Sequence, residues 1–359
     1  MLLILKQKQY LTQILSFPLN IPFLIYIISF SVTKLINSGF GEFINTMLRC
    51  SQDYFIVIWV MLYVLKQAGK KNLIKEAIYI SAYLSIAYGL FQLFHLDFFH
   101  RQESLNRLSG FHKNPYSYGG QLIVFFFLFF NDLFTFKRDS FIKRSLRFLI
   151  VLISFICILN TTERAVILGV LVGICVYLLL RNKALGDKDS LKIGAWILVP
   201  ILLVLCLNKK VLIRIKRTLF PPKGVESLIR LKLWGLALSL WKENVLFGLG
   251  KFPSIRYQPG DALSVQYLTH AHNVYLQILV ANGLIGFLAF VNLFFSILKF
   301  LFKNLKENSY VISLIVIIIA LLIEGFFEYF WGDSEVRYLM LYFTAFVFGL
   351  LMELKLKKV

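Results

Sequence analysis

Apolar runs of near-bilayer length recur along most of this sequence, and they constrain the fold more than any other feature. A hydrocarbon core of ~30 Å needs about 20 consecutive apolar residues in a helix. Hydrophobic residues make up 58% of the 359 positions, which is more apolar surface than a soluble domain can bury. The pattern therefore predicts an all-α fold, a polytopic transmembrane helical bundle.

About ten spans are predicted, and spans five to seven are short for a bilayer, being either tilted pieces or spans with badly placed ends. Their ranges are 15–37, 43–65, 73–95, 116–135, 146–161, 165–181, 193–207, 274–301, 309–330 and 336–354. We interpret the chain as a single integral membrane domain in three parts. Residues 1–207 hold spans one to seven, residues 208–273 form one large outer loop, and residues 274–359 hold spans eight to ten.

Basic residues give the predicted bundle an orientation. The formal net charge is +20, and much of that charge lies in short loops that share one side of a ten-span arrangement. The positive-inside rule makes that side cytoplasmic, with both termini on it. Membrane topology therefore explains the charge of the short loops, and no nucleic-acid partner is expected. The large outer loop is also basic, with eleven Lys/Arg against three Asp/Glu, and the rule does not explain the charge there. The four cysteines lie in or beside apolar runs without paired spacing, so neither a disulfide framework nor a metal site is predicted.

The large outer loop contains a predicted amphipathic helix over residues 225–247, which should lie along the outer membrane face. Its apolar positions recur at spacings of three and four: Leu228, Leu231, Trp234, Leu238, Trp241 and Val245. Arg230 shares a helix face with Trp234 and Ala237. Arg230 is either a solvated charge on that helix or part of a binding site.

Arg164 lies between two apolar runs with almost no loop around it. A charged group near membrane depth is expensive and usually faces a cavity or a partner. Arg164 is therefore either an interfacial arginine, snorkelling or paired with Glu163, or an anion-binding arginine at the outer end of the bundle. Arg107, His112 and Lys113 form a second outward cluster beside a Gly/Pro turn, which is either a plain connection or part of the same site.

His272 lies at the start of span eight, two residues after His270. A helix N-terminus disfavours imidazolium and offers backbone N–H groups to an anion. His272 is therefore either a capping residue or a proton acceptor, and His270, pointing elsewhere, is the weaker candidate. Arginines beside such a terminus suit a diphosphate, and a histidine suits removal of a hydroxyl proton. The combination predicts group transfer from a lipid diphosphate to a hydroxyl, with no metal or other cofactor required.

Four motifs resemble the O-antigen ligase and polymerase superfamily, the Wzy_C or WaaL-like membrane glycosyltransferases. They occur in the expected order over about residues 75–300. They are Arg107-Leu108-Ser109-Gly110-Phe111 with Asn114-Pro115, Thr161-Thr162-Glu163-Arg164-Ala165, Arg230-x3-Trp234 with Leu246-Phe247-Gly248-Leu249-Gly250, and His272-Asn273-x-Tyr275-Leu276-Gln277 with Gly283-x2-Gly286. Glu163, directly before the arginine, departs from the small or neutral residue expected there.

The resemblance implies a GT-C-like fold in the bacterial inner (cytoplasmic) membrane, and metal-independent inverting transfer from undecaprenyl-diphosphate-linked oligosaccharide on its outer face. It implies that Arg164 and Arg230 hold the diphosphate and that His272 acts on the acceptor hydroxyl. We assign substrate binding to the matching or neighbouring polar and aromatic residues, namely Arg107, Lys113, Trp234, Asn273 and Tyr275.

Three functions stay open after this resemblance. An O-antigen or capsule polymerase would transfer glycan to another glycan, and a ligase would transfer it to lipid A–core. The modest outer loop favours the polymerase, with a chain-length regulator as a further partner. A flippase of lipid-linked oligosaccharide would instead need several charged residues inside the spans. The sequence offers mainly Glu324 and Glu328 near the end of span nine, which could equally meet Arg337 or the basic loop.

Overall fold

A computed structural model describes residues 17–67, 72–96, 107–112, 114–135, 140–186, 227–257 and 266–358, with isolated residues at 12, 194, 199, 207 and 213. The helices are α1 (Asn20–Ser38), α2 (Phe40–Lys66), α3 (Leu73–Leu93), α4 (Pro115–Thr135), α5 (Phe141–Thr161), α6 (Arg164–Leu185), α7 (Ser227–Glu243), α8 (Val274–Lys303), α9 (Ser309–Glu324) and α10 (Ser334–Lys358). A short antiparallel hairpin, β1 (Ile255–Tyr257) and β2 (Gln266–Leu268), pairs Ile255 with Leu268.

The helical class predicted from the apolar runs is confirmed. Among the described residues, six helices are long and apolar enough to cross a membrane, namely α1, α2, α4, α6, α8 and α10, and α9 is a shorter apolar helix. The chain is therefore a polytopic helical membrane protein. The sequence did not predict the hairpin. The ten-span count stays a prediction, because most of span seven (193–207) lies outside the described residues.

Several predicted helix ends were wrong. Helices α5 and α6 have 21 and 22 residues, so each is longer than its predicted span and reaches bilayer length. The ninth span was predicted to run to residue 330, but α9 ends at Glu324. The carbonyls of Gly325 and Phe326 accept hydrogen bonds from Val274 N–H and the Asn273 side chain instead of continuing the helix.

The chain divides into two compact units. The first contains residues 1–59, 223–300 and 325–331, and the second contains residues 60–222, 301–324 and 332–359. The predicted division of the membrane domain into three parts, at residues 207 and 273, stays a prediction. In the second unit the aromatic helix α4 is almost wholly buried, and α9 packs closely on α6, where a side chain at Gly169 would come within 2.8 Å of the Ala320 carbonyl oxygen.

In the first unit, helix α8 is broken at Gly283, whose φ is +62°. Residues 245–250 dock on this break through backbone hydrogen bonds. Leu249 N–H donates to Val280 O at 2.7 Å, and Leu284 N–H donates to Val245 O at 2.8 Å. The docked segment thus satisfies backbone groups that an unbroken helix would pair internally. This arrangement joins the end of the α7 region to the middle of α8.

The buried face of α7 differs from the predicted stripe. Ala237 and Leu233 are buried, whereas Leu231 is 60% exposed and Leu238 is also exposed. Ala237 packs with Phe252, Ala271 and Val280. The small residue lies inward because it packs against these three buried residues from other parts of the chain, and apolar size alone does not predict such tertiary contacts. The helix is also shorter than the predicted 225–247.

Candidate functional site

Residues 325–331, which follow α9, carry an acidic residue to the start of α8. Besides the contacts at Gly325 and Phe326, Trp331 Nε1–H donates to the Tyr26 hydroxyl at 3.1 Å. The Tyr26 hydroxyl in turn donates to Asp53 Oδ2 at 3.5 Å. Both ends of the segment are therefore fixed within the first unit, which places Glu328 beside α7 and α8.

Helix α7 presents Arg230 to the same place. Trp234 Nε1–H donates to Ala271 O at 3.1 Å, and the next position on that face, Ala237, is buried against Ala271 and Phe252. These contacts fix the rotation of the helix. The predicted sharing of one face by Arg230, Trp234 and Ala237 is thus consistent with the contacts that the three residues make.

Asn273 caps the N-terminus of α8. Its Oδ1 accepts from the N–H groups of Tyr275 and Leu276, each at 3.0 Å, and its Nδ2 donates to Phe326 O at 2.9 Å. Its side chain is thus engaged at both polar atoms. Substrate binding by Asn273 stays a prediction, but the contacts indicate a residue that positions its neighbours. Tyr275, predicted in the same role, packs on Phe326 with ring centroids 4.6 Å apart.

The cap overturns the prediction that the α8 terminus offers its amides to an anion. Val274 N–H donates to Gly325 O at 2.8 Å, and Gln277 N–H donates to Asn273 O at 2.9 Å. Together with the two N–H groups on Asn273 Oδ1, the first four amides of the helix are satisfied within the protein. An anion at this site would therefore depend on side-chain cations.

His272 directly precedes the cap and has a φ of +47°, in the left-handed region. Non-glycine residues adopt this conformation rarely, and often at functional positions. The bend brings His270 and His272 together, with ring centroids 4.2 Å apart. The prediction that His270 points elsewhere was wrong, because residues 270–272 are not helical.

Glu328 joins the arginine to the histidine. Its Oε1 lies 2.5 Å from Arg230 Nη2, and its Oε2 lies 2.9 Å from His272 Nδ1. The residue is 5% exposed, and a buried carboxylate is stable only with such partners. Because a carboxylate only accepts, His272 donates to it through Nδ1, and a ring with a single proton then carries its lone pair on Nε2.

The second histidine, His270, is held in its neutral form. Burial lowers the pKa of His270 from its ordinary value, and the neighbouring His272 lowers it further, while Glu328 acts in the opposite direction. The Arg230–Glu328–His272 group is therefore bordered by a neutral imidazole.

The other predicted arginines lie in the second unit. Helices α5 and α6 are joined by Thr162 and Glu163, and Arg164 is the first residue of α6. Thr162 adopts a left-handed φ of +57°, which produces the sharp step between the helices.

Glu163 forms a buried ion pair with Arg107. Pairing with Glu163 was one alternative considered for Arg164, whereas Arg107 is a partner of Glu163 that the sequence did not suggest. Arg107 is 8% exposed, its Nε donates to Thr161 O at 2.9 Å, and its guanidinium lies 5.3 Å from the Tyr116 ring centroid. These contacts stabilise the step before Arg164. Substrate binding by Arg107 stays a prediction, and Lys113 lies outside the described residues.

Sequence reasoning assigned no site role to Glu328. It was interpreted as an interfacial acid, with the basic loop as one of two alternative partners, and the Arg230 contact agrees with that alternative. The available signal was a carboxylate at the end of a strongly apolar helix, where an unpaired charge would be costly. Its partners could not be chosen, because Arg230 and His272 are both distant from it in sequence.

These features define a polytopic helical membrane protein with a linked Arg–Glu–His group at a helix N-terminus. A family model described as O-antigen ligase (Wzy_C) matches residues 149–291, and this confirms the resemblance predicted from the motifs. The match includes Arg164, Arg230 and His272, whereas Arg107 and Glu328 lie outside it. It supports a membrane protein of the O-antigen ligase/polymerase type. No curated protein sequence matches the chain.

Proposed function

We propose that this protein is a membrane glycosyltransferase that moves glycan from undecaprenyl diphosphate to a hydroxyl acceptor on the outer face of the inner membrane. The observation that carries the proposal is Glu328, which contacts Arg230 and His272 through its two oxygens. A phosphate-binding cation and a proton acceptor are then held in one group. The family match supports the same class of enzyme.

In the proposed reaction, His272 Nε2 accepts the proton of the acceptor hydroxyl while the hydroxyl oxygen attacks the anomeric carbon. The bond from that carbon to the diphosphate breaks, and undecaprenyl diphosphate leaves with the electron pair. Glu328 orients the ring and stabilises the imidazolium, as carboxylates do for catalytic histidines. Displacement from the opposite face inverts the anomeric centre.

Arg230 and Arg164 are proposed to bind the diphosphate. A guanidinium has five donors in a planar fork that matches phosphate oxygens, and the contact with Glu328 involves Nη2 of Arg230. Charge on the leaving group can therefore be stabilised by arginine. On this ground we propose that the transfer proceeds without a metal ion.

The test is an assay with purified protein, undecaprenyl-diphosphate-linked glycan and acceptor, in the presence of EDTA and without nucleotide. Arg230→Ala, His272→Ala and Arg164→Ala should each lose nearly all transfer while remaining folded, and the first two should lower the thermal unfolding temperature because Glu328 loses a partner. Lys232→Ala is the matched control, because Lys232 is exposed on the same helix as Arg230. Full activity in all three site variants would refute the assignment, and loss of activity with EDTA would refute metal independence.

Of the two transfer reactions, we propose polymerisation of O-antigen or capsule repeats, because the outer loop of residues 208–273 is modest for recognising a large lipid acceptor. The alternative is a ligase that transfers finished glycan to lipid A–core, and the family match supports an enzyme of either type. A deletion strain separates the two. Single repeats accumulating on undecaprenyl diphosphate would support a polymerase, and full-length glycan stranded there would support a ligase.

A further inference from the structure

A polar cavity of about 390 Å³ lies within the second unit, bordered by α3, α4 and α5. Its lining includes Lys75, Glu76, Tyr79, Tyr83, Asp132 and Arg147. Asp132 is near the C-terminal end of α4, whereas Tyr116, which contacts Arg107, is at the N-terminal end. A helix of this length spans about 30 Å at 1.5 Å per residue. The cavity therefore lies at the opposite end of α4 from the step before Arg164.

Asp132 is the most buried charged group in this lining, at 6% exposure. Its Oδ2 accepts a hydrogen bond from the Tyr79 hydroxyl at 2.6 Å, and that hydroxyl lies 3.3 Å from the Tyr310 hydroxyl. Its Oδ1 is buried and receives no hydrogen bond from the described residues. A buried oxygen without a donor is costly, so a ligand that donates a hydrogen bond here would be favoured.

The charges around the cavity disfavour any ligand that is only an anion or only a cation. Lys75 Nζ lies over two tyrosine rings, 5.6 Å from the centroid of Tyr79 and 5.3 Å from that of Tyr310, and Arg147 adds a second cation. A simple anion would be repelled by Asp132 and Glu76, and a simple cation by Lys75 and Arg147. A ligand with both an amine and a phosphate complements the two pairs.

Exposed apolar side chains lie beside the cavity on α3 and α5, together with exposed Lys143 and Arg144 on α5. On α3, Ile80, Tyr83 and Leu84 are exposed, and on α5, Phe141, Leu146 and Leu149 are exposed. Ile80 and Tyr83 also line the cavity itself. In a membrane protein such a surface faces acyl chains. A ligand with a polar headgroup and hydrocarbon chains would therefore fit the cavity and its surroundings together.

We propose that this cavity binds the headgroup of a phospholipid that carries a primary amine, of the ethanolamine class. The ammonium donates to Asp132 Oδ1, and the phosphate contacts Arg147 and Lys75. A choline headgroup would lack the N–H donor, and a glycerol headgroup would lack the positive charge. The site is independent of the proposed glycosyl transfer, because it requires none of the residues assigned to that reaction.

The test measures thermal unfolding of the full-length protein in detergent with added phosphatidylethanolamine, phosphatidylcholine or phosphatidylglycerol, and counts bound lipid by native mass spectrometry. Phosphatidylethanolamine should raise Tm by about 2–4 °C more than the other two lipids. Asp132→Asn should abolish that difference, and Arg147→Gln should reduce the stabilisation by phosphatidylethanolamine because the phosphate loses a contact. Arg144→Gln should retain it, because Arg144 is exposed on the same helix.

Equal stabilisation by all three lipids would overturn the proposal, as would an Asp132→Asn variant that keeps the preference. If that variant fails to fold, an Arg147→Gln variant that keeps the full stabilisation by phosphatidylethanolamine would overturn the proposal. Soluble phosphoethanolamine provides a further arm. An equal effect from this chain-free compound would assign the cavity to a soluble amino phosphate and overturn the lipid assignment, whereas a much weaker effect supports the lipid.

Discussion

Arg230 and Glu328 are 98 residues apart in the sequence, and their side chains approach to 2.5 Å. The same carboxylate holds His272 through its other oxygen. A buried charge that loses its partner is destabilised by several kcal/mol, so each of the three residues depends on the other two. The arginine and the histidine are thus linked through Glu328, and substitutions there should affect both.

Glu328→Gln should reduce glycan transfer by about 10-fold or more and at most about 10⁴-fold, the loss seen when the carboxylate that orients a catalytic histidine becomes an amide. The amide keeps the shape but provides no negative charge for Arg230 or for a protonated His272. Transfer rates and thermal unfolding should be measured together. Glu335→Gln, at an exposed acidic position, should leave both unchanged. A Glu328→Gln enzyme with wild-type rates would show that the carboxylate does not serve the reaction.

Arg230→Lys should keep the positive charge at this position but lose function. Lysine provides a compact ammonium in place of a planar fork, so it cannot bind a phosphate bidentately while also contacting Glu328. We expect the KM for the lipid-linked donor to rise about tenfold or more, with unfolding little changed. Lys232→Arg on the exposed face of α7 is the control. Equal KM values for Arg230→Lys and wild type would argue that Arg230 only neutralises Glu328.

Sequence periodicity predicted where helices occur better than it predicted which face of a helix is buried. The apolar runs of α4 and α8 correspond to described helices, because bilayer length is a strong constraint. On α7, Ala237 is buried and Leu231 is exposed. Hydrophobicity alone would bury the larger residue, Leu231. Ala237 is buried instead because Ala271 packs against it, and the sequence pattern does not show this tertiary contact.

For the candidate site, sequence motifs located Arg230 and His272 but could not supply Glu328. The helix-terminus argument predicted amides available to an anion, whereas Asn273 and Gly325 satisfy them. Asn273 is a recognisable capping residue in the sequence. The contribution of Gly325 depends on where α9 ends, and a continuous apolar run does not reveal that end.

Acidification should destabilise the protein partly through His270. Burial lowers the pKa of His270 in the folded protein, while the unfolded chain has the ordinary value near ~6.5. As the pH falls below that value, the unfolded state binds a proton that the folded state does not, so stability present above it is lost. His270→Gln should reduce the loss in unfolding temperature between about pH 7.5 and about pH 5.5. An unchanged loss would show that His270 makes no contribution.

Gly283→Ala should destabilise the first unit, because a Cβ at this position would lie 2.3 Å from Leu246 O and the residue has a φ of +62°. The docked segment of residues 245–250 would have to separate from α8. We expect a loss on the order of 1–3 kcal/mol, measured by chemical unfolding, with faster proteolysis within residues 244–250. Gly235→Ala is the matched control, since a Cβ there meets no described atom within 4 Å. That variant should gain about 0.5–1 kcal/mol from helix propensity, and equal effects of the two variants would contradict the docking of this segment on the break in α8.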